Sequence, residues 1–237
     1  MSAERPFRSR LHAGKQLALA LHEHVHGPDP IVLALPRGGV PVGFAVARDL
    51  SLPLDLLLVR KLGLPGHEEL AMGAIGSGGV RVLNAHVVDA FHVAPATIET
   101  ACAREGALID RRELHYRGGR PPPALRGRLA ILVDDGLATG ATMRAAIAVA
   151  RAGGAAGVVV AVPVGPPETC AALRREVDAL VCLLRPPAFR AVSQWYRQFA
   201  QTSDADVRDL LARAWRGAPC RRAAASPAAG EDNACPK

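Results

Sequence analysis

Short, wholly apolar runs separated by stretches of helical spacing set the rhythm of this chain. IVLAL (31–35), LDLLLVR (54–60), LAILV (129–133), GVVVAVPV (157–164) and ALVCLL (179–184) read as strands buried on both faces of a sheet. Between them, helical spacing runs over 10–26, with Leu11, Leu17, Leu21 and Val25 on one side, and again over about 41–50, 142–152, 167–176 and 203–216. A long helix is predicted over about 95–117, opened by Pro95 in its first turn and closed by Gly118-Gly119. AMGAI and VRVLN (71–75, 80–84) predict paired strands around Gly76–Gly79. Lys61 to Leu70 carries Gly63, Pro65 and Gly66 and reads as a loop. The alternation predicts an α/β fold, a mostly parallel central sheet covered by helices.

The 237 residues suit one domain over 1–217, with a core at about 28–184 and a small hood from about 1–27 and 185–217. Residues 218–237 have no period and predict a disordered tail. Hydrophobic residues make up 49% of the chain but aromatics only 4%, so the core must be packed with Ala, Val and Leu. No apolar run approaches the roughly 18 residues of a membrane span, and the charged N-terminus lacks a secretory apolar segment. Five scattered cysteines without a CxxC pair fit a reducing compartment, so the cytoplasm is the expected location. His22, His24 and His26 suit the negative end of the first helix better than a metal site, because no further ligands accompany them. The net charge of +7 is almost all arginine; the lysines are Lys15, Lys61 and Lys237. This charge suits a nucleic-acid partner or a small polyanionic substrate and does not by itself separate them, although the arginines are scattered without the basic–aromatic interleaving that stacks bases, and a nucleic-acid partner is not expected.

Chemistry concentrates in ILVDDGLATGATM (131–143). An apolar strand ends in Asp134 and Asp135, at the edge where open α/β sheets bind ligands. Ala138, Thr139, Gly140, Ala141 and Thr142 then place small residues, two hydroxyls and exposed N–H groups at a helix start, the parts of a phosphate cradle. The bland alternative is a strand–turn–helix corner whose Asp and Thr only cap the helix. ALPRGG (34–39) repeats the passage from strand to glycine loop, with Arg37 able to make charge-assisted contacts to phosphate. Lys61 stands at a predicted strand end, either for a ligand or as a solvated cation.

The 131–143 segment resembles the PRPP-binding motif of type I phosphoribosyltransferases. Similarity to a bacterial subgroup of that family extends from FRSRLHAG through VRKLG and GAI to QWYRQF, most of residues 7–216. The resemblance implies that Asp134 and Asp135 hold the ribose 2′- and 3′-hydroxyls, and that Ala138, Thr139, Gly140, Ala141 and Thr142 wrap the 5′-phosphate. It makes Pro36, Arg37, Gly38 and Gly39 the pyrophosphate loop, with a cis Pro36–Arg37 peptide. Lys61, and less so Arg60, would neutralise departing pyrophosphate from a flexible loop, with Glu69 orienting Lys61 or touching the acceptor. Arg37, Lys61, Asp134 and Asp135 are thus the implied catalytic residues.

Mg²⁺ is the implied cofactor, carried by PRPP and reached through Asp134 and Asp135 rather than caged by the protein. The partners are PRPP and a small-molecule acceptor, and a homodimer is left open. Where 6-oxopurine enzymes carry an acid, this chain has Ala138, which argues against hypoxanthine or guanine. KLGLPGHEE does not match the orotate loop. Trp195 and Tyr196 can stack on a planar acceptor, while at helical spacing Phe189, Val192, Trp195 and Phe199 equally form an ordinary core stripe. The expected activity is transfer of ribose 5-phosphate from PRPP to a nitrogenous base. The alternative is a PRPP- or nucleotide-sensing regulator without turnover, although the residues before the first strand are too few for a winged helix.

Overall fold

The computed structural model describes residues 6–217, apart from the side chains of Glu68 and Glu69; the expectation for 218–237 falls outside them. The elements run α1 (Arg10–Leu21), β1 (Ile31–Ala34), α2 (Gly39–Asp49), β2 (Leu54–Leu56), β3 (Val59–Leu64), β4 (His67–Gly76), β5 (Arg81–Leu83) and α3 (Ala85–Ala90). They continue with α4 (Pro95–Arg117), β6 (Leu129–Val133), α5 (Ala141–Ala152), β7 (Gly157–Val164), α6 (Pro167–Arg174), β8 (Ala179–Leu184) and α7 (Asp204–Gly217).

β2-β1-β6-β7-β8 form one five-stranded sheet, parallel throughout. Because successive strand side chains point to opposite faces, each apolar run serves two cores. Val32, Ala34, Ile131, Val133, Val159 and Ala161 face the side filled by Leu17, Leu21, Val42, Ile109 and Leu211 of α1, α2, α4 and α7. Leu33, Ala130, Leu132, Val158 and Val160 face Met143, Ala146, Val149 and Leu173 of α5 and α6. Each such Val or Leu contributes about 1.5–3 kcal/mol by leaving water, which is why a chain poor in aromatics can hold this fold.

β1 pairs with β2 on one side and β6 on the other, so the direction of strand addition reverses between β1 and β6. A crevice opens outside the carboxyl ends of strands at such a reversal. The loops after β1 and β6 are those that carry ALPRGG and DDGLATGAT.

Residues 54–70 depart from expectation. The run 54–60 is not one strand: the chain leaves the parallel sheet after Leu57, whose N–H donates to Ala34 O at 3.1 Å. It is then held by Ser77, whose Oγ accepts from Leu58 N at 3.0 Å. The segment 61–70 is not a loop but most of an antiparallel hairpin, β3–β4, to which β5 adds as a third strand. Pro65-Gly66 is its turn, with Gly66 at φ 78°, where a side chain would strain the backbone. Leu62 and Leu64 alternate inward along β3, and α3 follows β5 where no helix was expected.

Candidate active site

The two glycine loops meet at the sheet's edge because one lies flat on the other. At Gly38 a Cβ would run into the Asp135 carboxylate, and at Gly39 one would stand 2.6 Å from Val133 O. Gly38 has ordinary helical dihedrals (φ −60°, ψ −36°), so the glycine serves close approach rather than an unusual backbone. The Pro36–Arg37 peptide beside it is cis.

Asp134 and Asp135 are each half committed. Asp134 Oδ1 accepts the Asp135 N–H at 2.8 Å. Asp135 Oδ2 accepts from Arg10 Nε at 2.7 Å. Asp134 Oδ2 and Asp135 Oδ1 accept no hydrogen bond from another residue among the described ones. Burial raises the pKa of both, Asp134 well above its ordinary 3.8, with the neighbouring Asp135 charge raising it further. Arg10 pulls Asp135 back down. Half-buried carboxylates with spare lone pairs can accept from hydroxyl donors.

The adjoining loop is pinned from its carbonyl side. Leu137 N–H donates to Val164 O of β7 at 2.8 Å, and Thr169 Oγ1 donates to Ala138 O at 3.1 Å. Gly140 sits at φ 76°, with Thr169 Cγ2 only 2.9 Å from where a Cβ would stand, so it must be glycine twice over. The N–H groups of Ala138, Thr139, Gly140, Thr142 and Met143 have no acceptor among the described residues, and Ala141 N–H has only Thr139 Oγ1 at 3.4 Å. These amides open α5, where the helix dipole adds positive potential. Together with Asp134 they line a pocket of about 210 Å³. No cluster of three or more metal-ligating side chains occurs among the described residues. One bare oxygen on each carboxylate fits the two hydroxyls of a Mg²⁺-bound pentose.

Arg37 lies near this centre but faces another cleft, with its NH1 3.5 Å from Asp204 Oδ1. Lys61, on β3, faces a third cavity of about 810 Å³ together with Thr97, Thr100 and Arg104 of α4. The structure therefore does not gather Lys61 with the 134–142 residues, because a hairpin rather than a loop carries it. Arg60 is engaged by Glu105 at 2.7 Å. Glu69 lies in β4.

Tyr196 does not offer a stacking face. It is 0% exposed, packed between Phe7 and Phe199 with ring centroids 5.4 and 5.1 Å away. Its hydroxyl donates to Asp135 O at 2.6 Å, and burial pushes the phenol pKa up. Trp195 packs on the same cluster with Phe189, Val192 and Phe199. The core stripe is the reading these contacts favour.

Arg10 was not found from sequence. Its guanidinium stacks 3.8 Å from the Phe199 centroid and its NH1 donates to Ala200 O at 2.7 Å, which aims Nε at Asp135. Phe7 N–H donates to Trp195 O and Arg197 N–H to Phe7 O, at 3.2 and 2.8 Å, so the two end segments of the described chain pair over the acidic loop.

A parallel sheet with paired acids and an amide nest at its switch point defines a type I phosphoribosyltransferase-like domain. Residues 8–194 match the phosphoribosyl transferase domain family, and this chain belongs to it. A Mycobacterium tuberculosis H37Rv protein named "Putative phosphoribosyl transferase" is 50% identical over 210 residues, which are 89% of this chain and 47% of that protein. The chain thus spans about half the length of the curated relatives it matches. The crystal structure of TT1426 from Thermus thermophilus shares 43% identity with a TM-score of 0.80, covering 87% of this chain and 98% of that one.

Proposed function

We propose that the chain transfers ribose 5-phosphate from PRPP to a nitrogenous base, with release of pyrophosphate. One observation carries this reading: two adjacent half-buried carboxylates each keep a bare oxygen among the described residues, and Asp134 lines one pocket with a nest of amides that have no acceptor there. Two vicinal hydroxyls and one phosphate, the features of a ribose 5-phosphate, satisfy that set together. Asp134 and Asp135 take the 2′- and 3′-hydroxyls, and the 138–142 amides take the phosphate at the α5 N-terminus. The Pro36–Gly39 loop, packed against Asp135, puts the departing diphosphate on the far side of the sugar. Mg²⁺ bound to PRPP supplies charge neutralisation on the diphosphate. The protein fixes the sugar so that C1′ is open to the acceptor nitrogen, which is catalysis by positioning and preset charge. Ala138 offers no carboxylate to an incoming base, so a proton leaving the acceptor does not go to that position.

The test is calorimetric titration of PRPP with Mg²⁺ into the wild type and the Asp134→Asn/Asp135→Asn double variant. A hydrogen bond to a charged group is worth about 1.5–3 kcal/mol, so losing two weakens PRPP by at least about 100-fold. Equal affinity in the two proteins refutes the assignment. Pyrophosphate release with a panel of bases then identifies the acceptor.

A further inference from the structure

The cysteines look unrelated in sequence, yet two of them meet in the fold. Cys170 stands on α6 and Cys182 on β8, both free thiols in the core on the α5–α6 side of the sheet. They meet around one peptide. Leu184 O accepts from Gly165 N–H at 3.1 Å and from Cys182 Sγ at 3.1 Å. Cys170 Sγ lies 3.1 Å from where a Cβ on Gly165 would stand, so that glycine leaves room for the sulfur. The two side chains hydrogen-bond to each other there. Cys170 and Cys182 are 2% and 8% exposed, so only a reagent of about the size of water reaches them.

The pair is chemically unequal. The Cys182 hydrogen bond, and then the Arg185 and Arg174 charges, hold the Cys170 thiol below its ordinary 9.0 against burial and Glu168. Cys182 is pushed up, by its bond to Cys170 first and by burial second. A thiolate attacks where a thiol does not, and a neighbouring thiol then resolves the product.

α6 also supports the amide nest. Thr169, next to Cys170, donates to Ala138 O at 3.1 Å. Thr169 Cγ2 and Leu173 Cδ1 stand 2.9 and 3.4 Å from the Cβ position of Gly140. Gly165, against which Cys170 packs, has Leu137 Cβ 2.9 Å from its own Cβ position. A disulfide brings its sulfurs to about 2.05 Å, far closer than a hydrogen bond does. Closing one here draws Cys170 toward β8 and takes Thr169 with it.

We propose that Cys170 and Cys182 are a modification site for hydrogen peroxide, which closes them into a disulfide that withdraws α6 from the amide nest. The effect on phosphate binding rests on the phosphoribosyl-transfer reading; the crosslink does not. Cys170 gives up its proton and its thiolate attacks one peroxide oxygen. The O–O bond breaks, and the departing hydroxide takes that proton to become water. The Cys182 sulfur then attacks the Cys170 sulfur, the S–O bond breaks, and a second water leaves with the Cys182 proton. Two thiols are oxidised and one peroxide is reduced.

The test treats the full chain with hydrogen peroxide, beside a Cys102→Ala/Cys220→Ala/Cys235→Ala variant that keeps only this pair. Peptide mapping by mass spectrometry is expected to find a 170–182 crosslink in both. Dithiothreitol should remove it, and Cys182→Ala, checked for folding by circular dichroism, should lack it. On oxidation, hydrogen exchange of the 137–143 amides is expected to quicken several-fold. PRPP affinity with Mg²⁺, read by calorimetry, is expected to fall at least about tenfold, the scale of one lost hydrogen bond to a charged group. Thiols that stay reduced, or that oxidise without joining, overturn the proposal. A crosslink that leaves both exchange and PRPP affinity unchanged also overturns it, and leaves the transfer reading standing. If the crosslink quickens exchange but the reduced protein takes up no PRPP, the thiol pair stands and the transfer reading falls.

Discussion

Asp134 is held against its own chemistry. Its burial beside Asp135 raises its pKa well above 3.8, so the folded state binds a proton that the unfolded state releases. Stability therefore falls as pH rises from the ordinary carboxylate range to that raised value, and keeps the full penalty above it. Asp134→Asn removes the term. Its melting temperature should exceed that of the wild type at pH 8, and the gap should close on acidification toward pH 4; a constant gap contradicts the sign. Arg10 acts oppositely on Asp135. On the proposed function PRPP binds the ionised carboxylate, so its affinity should rise with pH, and Arg10→Met should move the midpoint of that rise to higher pH, read by calorimetry across a pH series. An unshifted midpoint with uniformly weaker binding would make Arg10 merely structural. The acidic pair and its loop were legible because strand, acids and glycine loop are contiguous in sequence. Arg10 was not, because its partner lies 125 residues away and nothing within its own helix marks it. Cys170 and Cys182 were hidden too, because they sit on different elements without the spacing of a local pair.

At the level of elements, four of the five parallel strands (β1, β6, β7 and β8) could be read almost residue for residue, since burial on both faces leaves no polar position to blur them, whereas β2 stops at Leu56 inside the longer run 54–60. The β3–β4 hairpin could not, because Gly63, Pro65 and Gly66 weigh as loop residues while the alternation of Leu62 and Leu64 is only two positions long. Reading Lys61 as a loop cation followed from that error. α4 shows how an element is seated by charge. Arg117, wholly buried near its end, donates to Asp55 Oδ1 at 2.9 Å, Glu113 Oε1 at 2.8 Å and Leu56 O at 2.7 Å. This fastens the helix to β2. Burial raises the Asp55 pKa even with Arg117 beside it. Arg117→Met leaves that carboxylate buried and unpaired and should cost about 3–5 kcal/mol in urea unfolding, whereas adding Asp55→Leu should recover most of the loss.

On the scale of the whole molecule, the sheet supplies the crevice and the two end segments complete it. Phe7 and Tyr196 form a parallel bridge, Tyr196 holds Asp135 from its backbone side, and Arg10 holds it from its side chain while bonded to Ala200. The expectation of a small covering structure built from both ends came from resemblance alone. Composition does not show that 6–10 and 195–200 meet, because neither stretch has a period of its own. No helix among the described residues is long and apolar enough to cross a membrane.

The pairing of these ends carries a consequence for synthesis. Tyr196 lies 61 residues after Asp135, so a growing polypeptide emerges from the ribosome with its acidic loop made but not yet aimed. On the proposed function, substrate capture then has to wait until residues 196–200 have been made. Nascent chains stalled with only Leu184 exposed should show the sheet by protease resistance yet retain no radiolabelled PRPP, and retention should begin once residues 196–200 have cleared the tunnel.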